Sequence, residues 1–132
     1  MLFDRDVSAT VAVSAPVERV WRVLVATLGA DTPGALVTFG ELRGRVRDAV
    51  PGDGLVVRAT LGVRRYELVA HLVPHGRGCD LTVAAAADDR AGIAAGGRWH
   101  HHRARRHVRQ IVRDLVAAVA RDAENTSLPA AS

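Results

Sequence analysis

Apolar and polar residues alternate from Val7 to Ser14, with Val7, Ala9, Val11 and Val13 on one side and Ser8, Thr10, Ala12 and Ser14 on the other. That period of two predicts a half-buried opening strand. After Ala15 the period lengthens. Val17, Val20, Trp21, Leu24 and Leu28 recur at helical spacing while Glu18, Arg19 and Arg22 face away. An amphipathic helix is expected, opened by Pro16 at its first position and ended near Gly29.

Asp31, Pro33 and Gly34 carry turn chemistry, and no helical period follows until the last third of the chain. Strands are expected at about Leu36 to Phe39, Glu41 to Val50, Leu55 to Leu61, Val63 to Val73 and Asp80 to Ala87. Pro51-Gly52-Asp53-Gly54, Gly62 and Pro74-His75-Gly76-Arg77-Gly78 punctuate them, and such short connections favour an antiparallel meander. From about Trp99, Ala104, Val108, Ile111, Val112, Leu115, Ala118 and Val119 form one stripe opposite Arg105, Arg106, Arg109, Arg113 and Arg121. This predicts a long terminal helix lying over the sheet. The order of elements is α+β, with helices covering the apolar face of a curved antiparallel sheet.

The chain has 132 residues, 48% hydrophobic and 24% charged, which fits a single globular domain, taken as residues 1–124, with a small polar tail at 125–132 expected to be disordered. No apolar run reaches the roughly 18 residues of a membrane span, and MLFDRDVSAT has no basic-then-apolar export signal, so the expected compartment is the cytoplasm. One cysteine, Cys79, excludes an internal disulfide and a multi-cysteine zinc site. The net charge is +4, and every basic residue is arginine. A GC-rich genome explains that usage as well as nucleic-acid binding does. An aromatic content of 4% is too low for base-stacking platforms, which ranks nucleic acid last among the partners.

VSATVAVSAPVERVWRVL, with the pair Val20-Trp21 in a helix opened by proline, resembles the start of the SRPBCC superfamily, the START and Bet v allergen-like helix-grip proteins. GRVRDAVPGDGLVVRATLG and RRYELVAHLVPHGRGCDLTVAAA are similar to that superfamily's central hairpins, particularly in the polyketide cyclase/dehydrase-like and chaperone-ATPase-activator-like branches. The resemblance spans most of residues 7 to 122. It departs from the pattern in being short and in showing little strand signal over Asp88 to Gly97, where a further strand is expected. It implies a helix-grip fold with a cavity between the curved sheet and the terminal helix, commonly holding an apolar ligand.

Inward positions assigned by hydrophobicity include Leu55, Val57, Ala59 and Leu61, then Tyr66, Leu68, Ala70 and Leu72, then Leu81, Val83, Ala85 and Ala87. Several are very small, so the space beneath the helix is either incompletely filled or closed by collapse of the backbone. In the first case Val57, Ala59, Leu68, Ala70, Val83 and Ala85 line a ligand from the sheet, and His100, Ala104, Val108 and Ile111 from the helix. Arg64 and Tyr66 share the face of Leu68, and Asp48 that of Leu42 and Val46. A cavity arginine neutralises a carboxylate or holds an enolate, and a tyrosine hydroxyl donates to a developing oxyanion. The alternatives are a solvated strand end for Arg64, a core aromatic for Tyr66 and an arginine partner for Asp48.

The run Trp99-His100-His101-His102, with His107 beyond it, has no two histidines three or four apart, the spacing that chelates a metal from a helix. No metal and no cofactor are expected. His100 or His107 at a cavity rim would suit proton transfer, which makes Tyr66 and His107 the candidate catalytic pair; a solvated basic helix start explains the same histidines. Ala91 to Gly97 matches no phosphate loop and reads as a hinge or gate at the cavity mouth. Arg43, Arg45, Arg47, Arg58 and Arg65 fall on the outward face, where a solvated basic surface is the default reading and a contact for an anionic partner the alternative. The first expectation is therefore a binder of a small hydrophobic or aromatic molecule, with polyketide cyclase/dehydratase-like activity in reserve. The second is a non-catalytic module that meets a protein partner, or a second copy of itself, through the sheet surface.

Overall fold

In the computed structural model, strand β1 (Asp6–Val13) leads into helix α1 (Val17–Leu28), and a meander follows of β2 (Leu36–Phe39), β3 (Leu42–Val50), β4 (Gly54–Leu61), β5 (Arg64–His75) and β6 (Gly78–Ala87). Helix α2 (Gly92–Thr126) closes the chain. The structure describes residues 6–87 and 92–126, with side chains over 7–87 and 106–125. The strands form one antiparallel sheet in the order β1-β6-β5-β4-β3-β2, so the first strand is placed against the last by the α1 crossover. This is the α+β helix-grip arrangement expected.

Pro16 takes the position just before α1 rather than its first turn, and its carbonyl accepts from the Arg19 and Val20 amides. Gly29 ends the helix in the left-handed region, its amide donating to the Val25 carbonyl at 2.7 Å. Val20, Leu24 and Leu28 are fully buried, each stabilising the fold by roughly 1.5–3 kcal/mol relative to exposure. On α2 the stripe is Val108, Ile111, Val112, Leu115, Val116, Val119, Ala120 and Ala123, all buried. Among the described residues, α2 lies nearest β1, α1 and β6 and holds its backbone further from β3, β4 and β5. It starts beyond the Ala87 end of β6 and runs back to the β1–α1 junction, where Glu124 accepts from the Ser14 amide at 2.9 Å.

Three further expectations of local structure are corrected. Gly92 to Gly97 is helical, so α2 begins seven residues before Trp99 and that part of the expected hinge is absent; Ala91 lies outside the described residues. Glycine disfavours helix by about 1 kcal/mol per residue, but propensity yields to the cooperativity of a long helix. Asn125 and Thr126 belong to α2 instead of the tail, while 127–132 lie outside the described residues. Pro74 and His75 pair with Cys79 and Gly78, so the β5–β6 turn narrows to Gly76 and Arg77.

The inner face that the alternation predicts is buried: Leu55, Val57, Ala59, Leu61, Tyr66, Leu68, Ala70, Leu72, Leu81, Val83 and Ala85 are each at most 7% exposed. Asp48 is the exception among inward assignments. β3 carries a bulge between Val46 and Asp48, after which Asp48 pairs with Val56 and Ala49 with Leu55. The extra residue, Arg47, reverses the alternation. Ala49 therefore turns inward, and Asp48 stands exposed on the outer face, its carboxylate accepting from the Ala49 amide.

Candidate functional site

Cross-strand register sorts the inner face into rows. Gly44, Ala59, Tyr66 and Ala87 form one row; Val46, Val57, Leu68, Ala85 and Val7 form the next; Leu55, Ala70, Val83 and Ala9 follow. In the first row every immediate neighbour of Tyr66 is alanine, and glycine lies beyond. Tyr66 itself is 5% exposed. A buried tyrosine adds both a large apolar ring and a hydroxyl able to donate or accept, set here among the smallest side chains of the sheet. Gly44 is fixed by close approach: a Cβ there would run into the Arg58 carbonyl oxygen and lie 2.9 Å from Val57 Cγ1.

The same end of the sheet gathers the polar residues. Arg64, at the start of β5 and on the Tyr66 side, is partly exposed and pairs with Leu61 across a two-residue turn in which Gly62 is left-handed. His107 leaves the buried stripe of α2 and reaches the β2–β3 turn, its Nε2 2.8 Å from Glu41 Oε1, with the two side chains 47% and 74% exposed. This pair fastens α2 to the far side of the sheet. His107 is thus in solvent contact with a carboxylate partner, whereas Tyr66 is buried in β5.

Of the other expected lining residues, Val57, Ala59, Leu68, Ala70, Val83 and Ala85 lie on the buried inner face, and Val108 and Ile111 on the buried stripe of α2. His100 and Ala104 fall within the α2 backbone, but their side chains lie outside the described residues. Asp48 is not part of this group. Glu41 and Gly44 were not singled out from sequence. A glycine inside the alternation Leu42 to Val46 is a signal for close backbone approach, whereas nothing local marks Glu41 as the partner of a residue 66 positions later. Among the described residues, no three His, Cys, Asp or Glu side chains come together as a metal site, and no helix is long and apolar enough to cross a membrane.

Against protein-family models and curated protein sequences, this sequence finds no match. Solved structures do match. DynU16, from the dynemicin biosynthetic locus, superposes with a TM-score of 0.67 at 26% identity, over 89% of this chain and 46% of DynU16. The Polyketide_cyc-like protein Cgl2372 of Corynebacterium glutamicum gives 0.65 at 14% identity, over 93% of each chain. The chain has the polyketide-cyclase-like SRPBCC fold. This chain spans less than half of the length of DynU16 but nearly all of Cgl2372. The Aha1 dimer of Colwellia psychrerythraea has the same architecture, with a TM-score of 0.62 at 8% identity, over 90% of this chain and 96% of that one.

Proposed function

We propose that this SRPBCC domain binds a small hydrophobic or aromatic molecule between the inner sheet face and α2, at the end of the sheet that carries Tyr66. The observation that carries this is the Gly44–Ala59–Tyr66–Ala87 row, in which one buried hydroxyl stands among minimal side chains. Apolar walls with few polar groups are the usual composition of a small-molecule site. Tyr66 supplies the hydrogen bond that orients the guest, and Arg64 at the strand end meets a carbonyl or carboxylate at its edge. Likeness in fold to the Polyketide_cyc-like protein Cgl2372 supports a polyketide-like guest. Cyclase or dehydratase chemistry there would rest on placement and on the Tyr66 hydroxyl, with His107 standing in solvent beside Glu41. Self-association is a second proposal, supported by the likeness to the Aha1 dimer and tested by light scattering across a concentration series.

Native mass spectrometry of the protein purified from its own host tests the binding role, together with titration of a fluorescent naphthalene probe. A retained small molecule, displaced by the probe, is expected. Absence of both a retained mass and saturable probe uptake overturns the role. Tyr66→Phe is expected to weaken polar aromatic guests by roughly 5- to 10-fold, the contribution of one hydrogen bond, and to spare purely aliphatic ones.

A further inference from the structure

The outer face of the sheet carries a charge arrangement that works against the sheet's own stability. Arg45 of β3 stands directly opposite Arg58 of β4, and Arg43 opposite Thr60, which in turn faces Arg65 of β5. All four arginines are exposed. Like charges placed opposite one another on neighbouring strands are destabilising. The arginines also differ in how they are held. Arg43 Nη1 donates to the Gly40 and Leu42 carbonyls at 2.6 and 3.0 Å, and Arg45 Nη1 to the Gly34 carbonyl at 2.9 Å. Arg47 takes the Glu67 carboxylate, although Glu67 is the residue directly opposite Arg58. The guanidinium groups of Arg58 and Arg65 are left with no hydrogen bond or ion pair among the described residues. They border a concavity of about 570 Å³ that Thr60, Glu67 and Ala86 also line, together with Ala59, Tyr66 and Ala87 of the inner row.

We propose that Arg58 and Arg65 form the anion site for a phosphate monoester on this outer face, on the opposite side of the sheet from the inner site. The two residues occupy diagonal positions on adjacent strands, so their planar forks approach one ligand from different directions. A tetrahedral dianion offers oxygens to both forks at once, whereas a planar carboxylate is satisfied by one bidentate arginine. The volume suits a phosphorylated small molecule, with Ala86 as apolar floor. A nucleic-acid strand fits less well: among the described residues, no Phe, Tyr or Trp is exposed on this face to stack on a base.

The test titrates inorganic phosphate and phenyl phosphate into the protein at constant ionic strength, with chloride as the balancing anion, following backbone amide shifts and the melting temperature. Saturable shifts are expected at Arg58, Thr60 and Arg65. The Arg58→Gln/Arg65→Gln double variant is expected to weaken phenyl phosphate by about 10- to 100-fold, the range for charge-assisted hydrogen bonds. Arg77→Gln removes a charge at the β5–β6 turn and is expected to leave affinity within about twofold, since distant exposed charges are screened. Arg58→Gln alone relieves the opposition to Arg45 but also removes the charge facing Glu67, two effects that offset, so it should leave the melting temperature without ligand nearly unchanged, which separates loss of binding from loss of fold. No saturable response, or equal weakening by Arg77→Gln, overturns the site. Binding of a single-stranded 12-nucleotide DNA with steep salt dependence, in the absence of any response to phenyl phosphate, overturns it in favour of a polyanion surface.

Discussion

Ala59→Leu puts three carbon atoms into the row beside Tyr66, at a position 2% exposed and flanked by Gly44. With room at that end of the sheet, the added atoms are buried at about 0.8 kcal/mol per carbon, so the variant gains roughly 2 kcal/mol and loses uptake of the apolar probe. With the same volume already filled by side chains, overpacking costs about 1–3 kcal/mol. The two cases differ in sign, which makes urea unfolding decisive provided the slope of the transition stays constant. Leu115→Ala is the reference variant. Leu115 is 1% exposed on α2 and should lose about 2–5 kcal/mol by leaving a cavity. An Ala59→Leu protein destabilised by more than about 1 kcal/mol that still takes up probe would refute the argument for space beside Tyr66.

Gly44→Ala forces a Cβ against backbone atoms of β4 and should cost about 1–3 kcal/mol or more in denaturant unfolding; an unchanged midpoint would show that the strands are not held so closely. A double-mutant cycle of His107→Ala and Glu41→Ala should give a coupling of at most about 1 kcal/mol, because both partners are largely exposed, and a coupling above about 2 kcal/mol would contradict that placement. Burial, aided by the charge of Asp80 and opposed by a hydrogen bond involving the Val73 backbone, raises the Cys79 thiol above its ordinary value of 9.0. The native protein therefore keeps a proton that the unfolded chain gives up, so this contribution to stability is present below about pH 9 and is lost as the pH climbs beyond it. A disulfide reagent at pH 8 should label the native thiol orders of magnitude more slowly than the urea-unfolded thiol, and equal rates would place Cys79 at the surface.

The alternation of β4, β5 and β6 made their inner faces legible because one side of each strand meets the core and the other meets water. Asp48 escaped for a physical reason: one extra residue at Arg47 inverts every later position of β3, and no local pattern announces it. Gly92 to Gly97 escaped because composition argued for a loop, whereas continuity with the helix that follows decided the outcome. The Tyr66 row was half visible. Tyr66 and Ala59 could be assigned inward from their own strands, but their being neighbours, with Ala87 and Gly44 completing the row, is a matter of register set by turns as short as Gly62-Val63. The His107–Glu41 contact depends on where a long helix crosses a sheet, which neither segment encodes alone.

The position of α2 also bears on how the chain is made. β1 is made before the other strands, yet its sheet partner β6 and its covering helix α2 come last, so the part of the inner face that α1 does not meet waits uncovered while the ribosome works from Val7 to Val119. At roughly 5–20 residues per second that exposure lasts on the order of ten seconds. Nascent chains stalled before Val108 should therefore engage chaperones and aggregate, and release should follow once the segment ending at Ala123 has emerged.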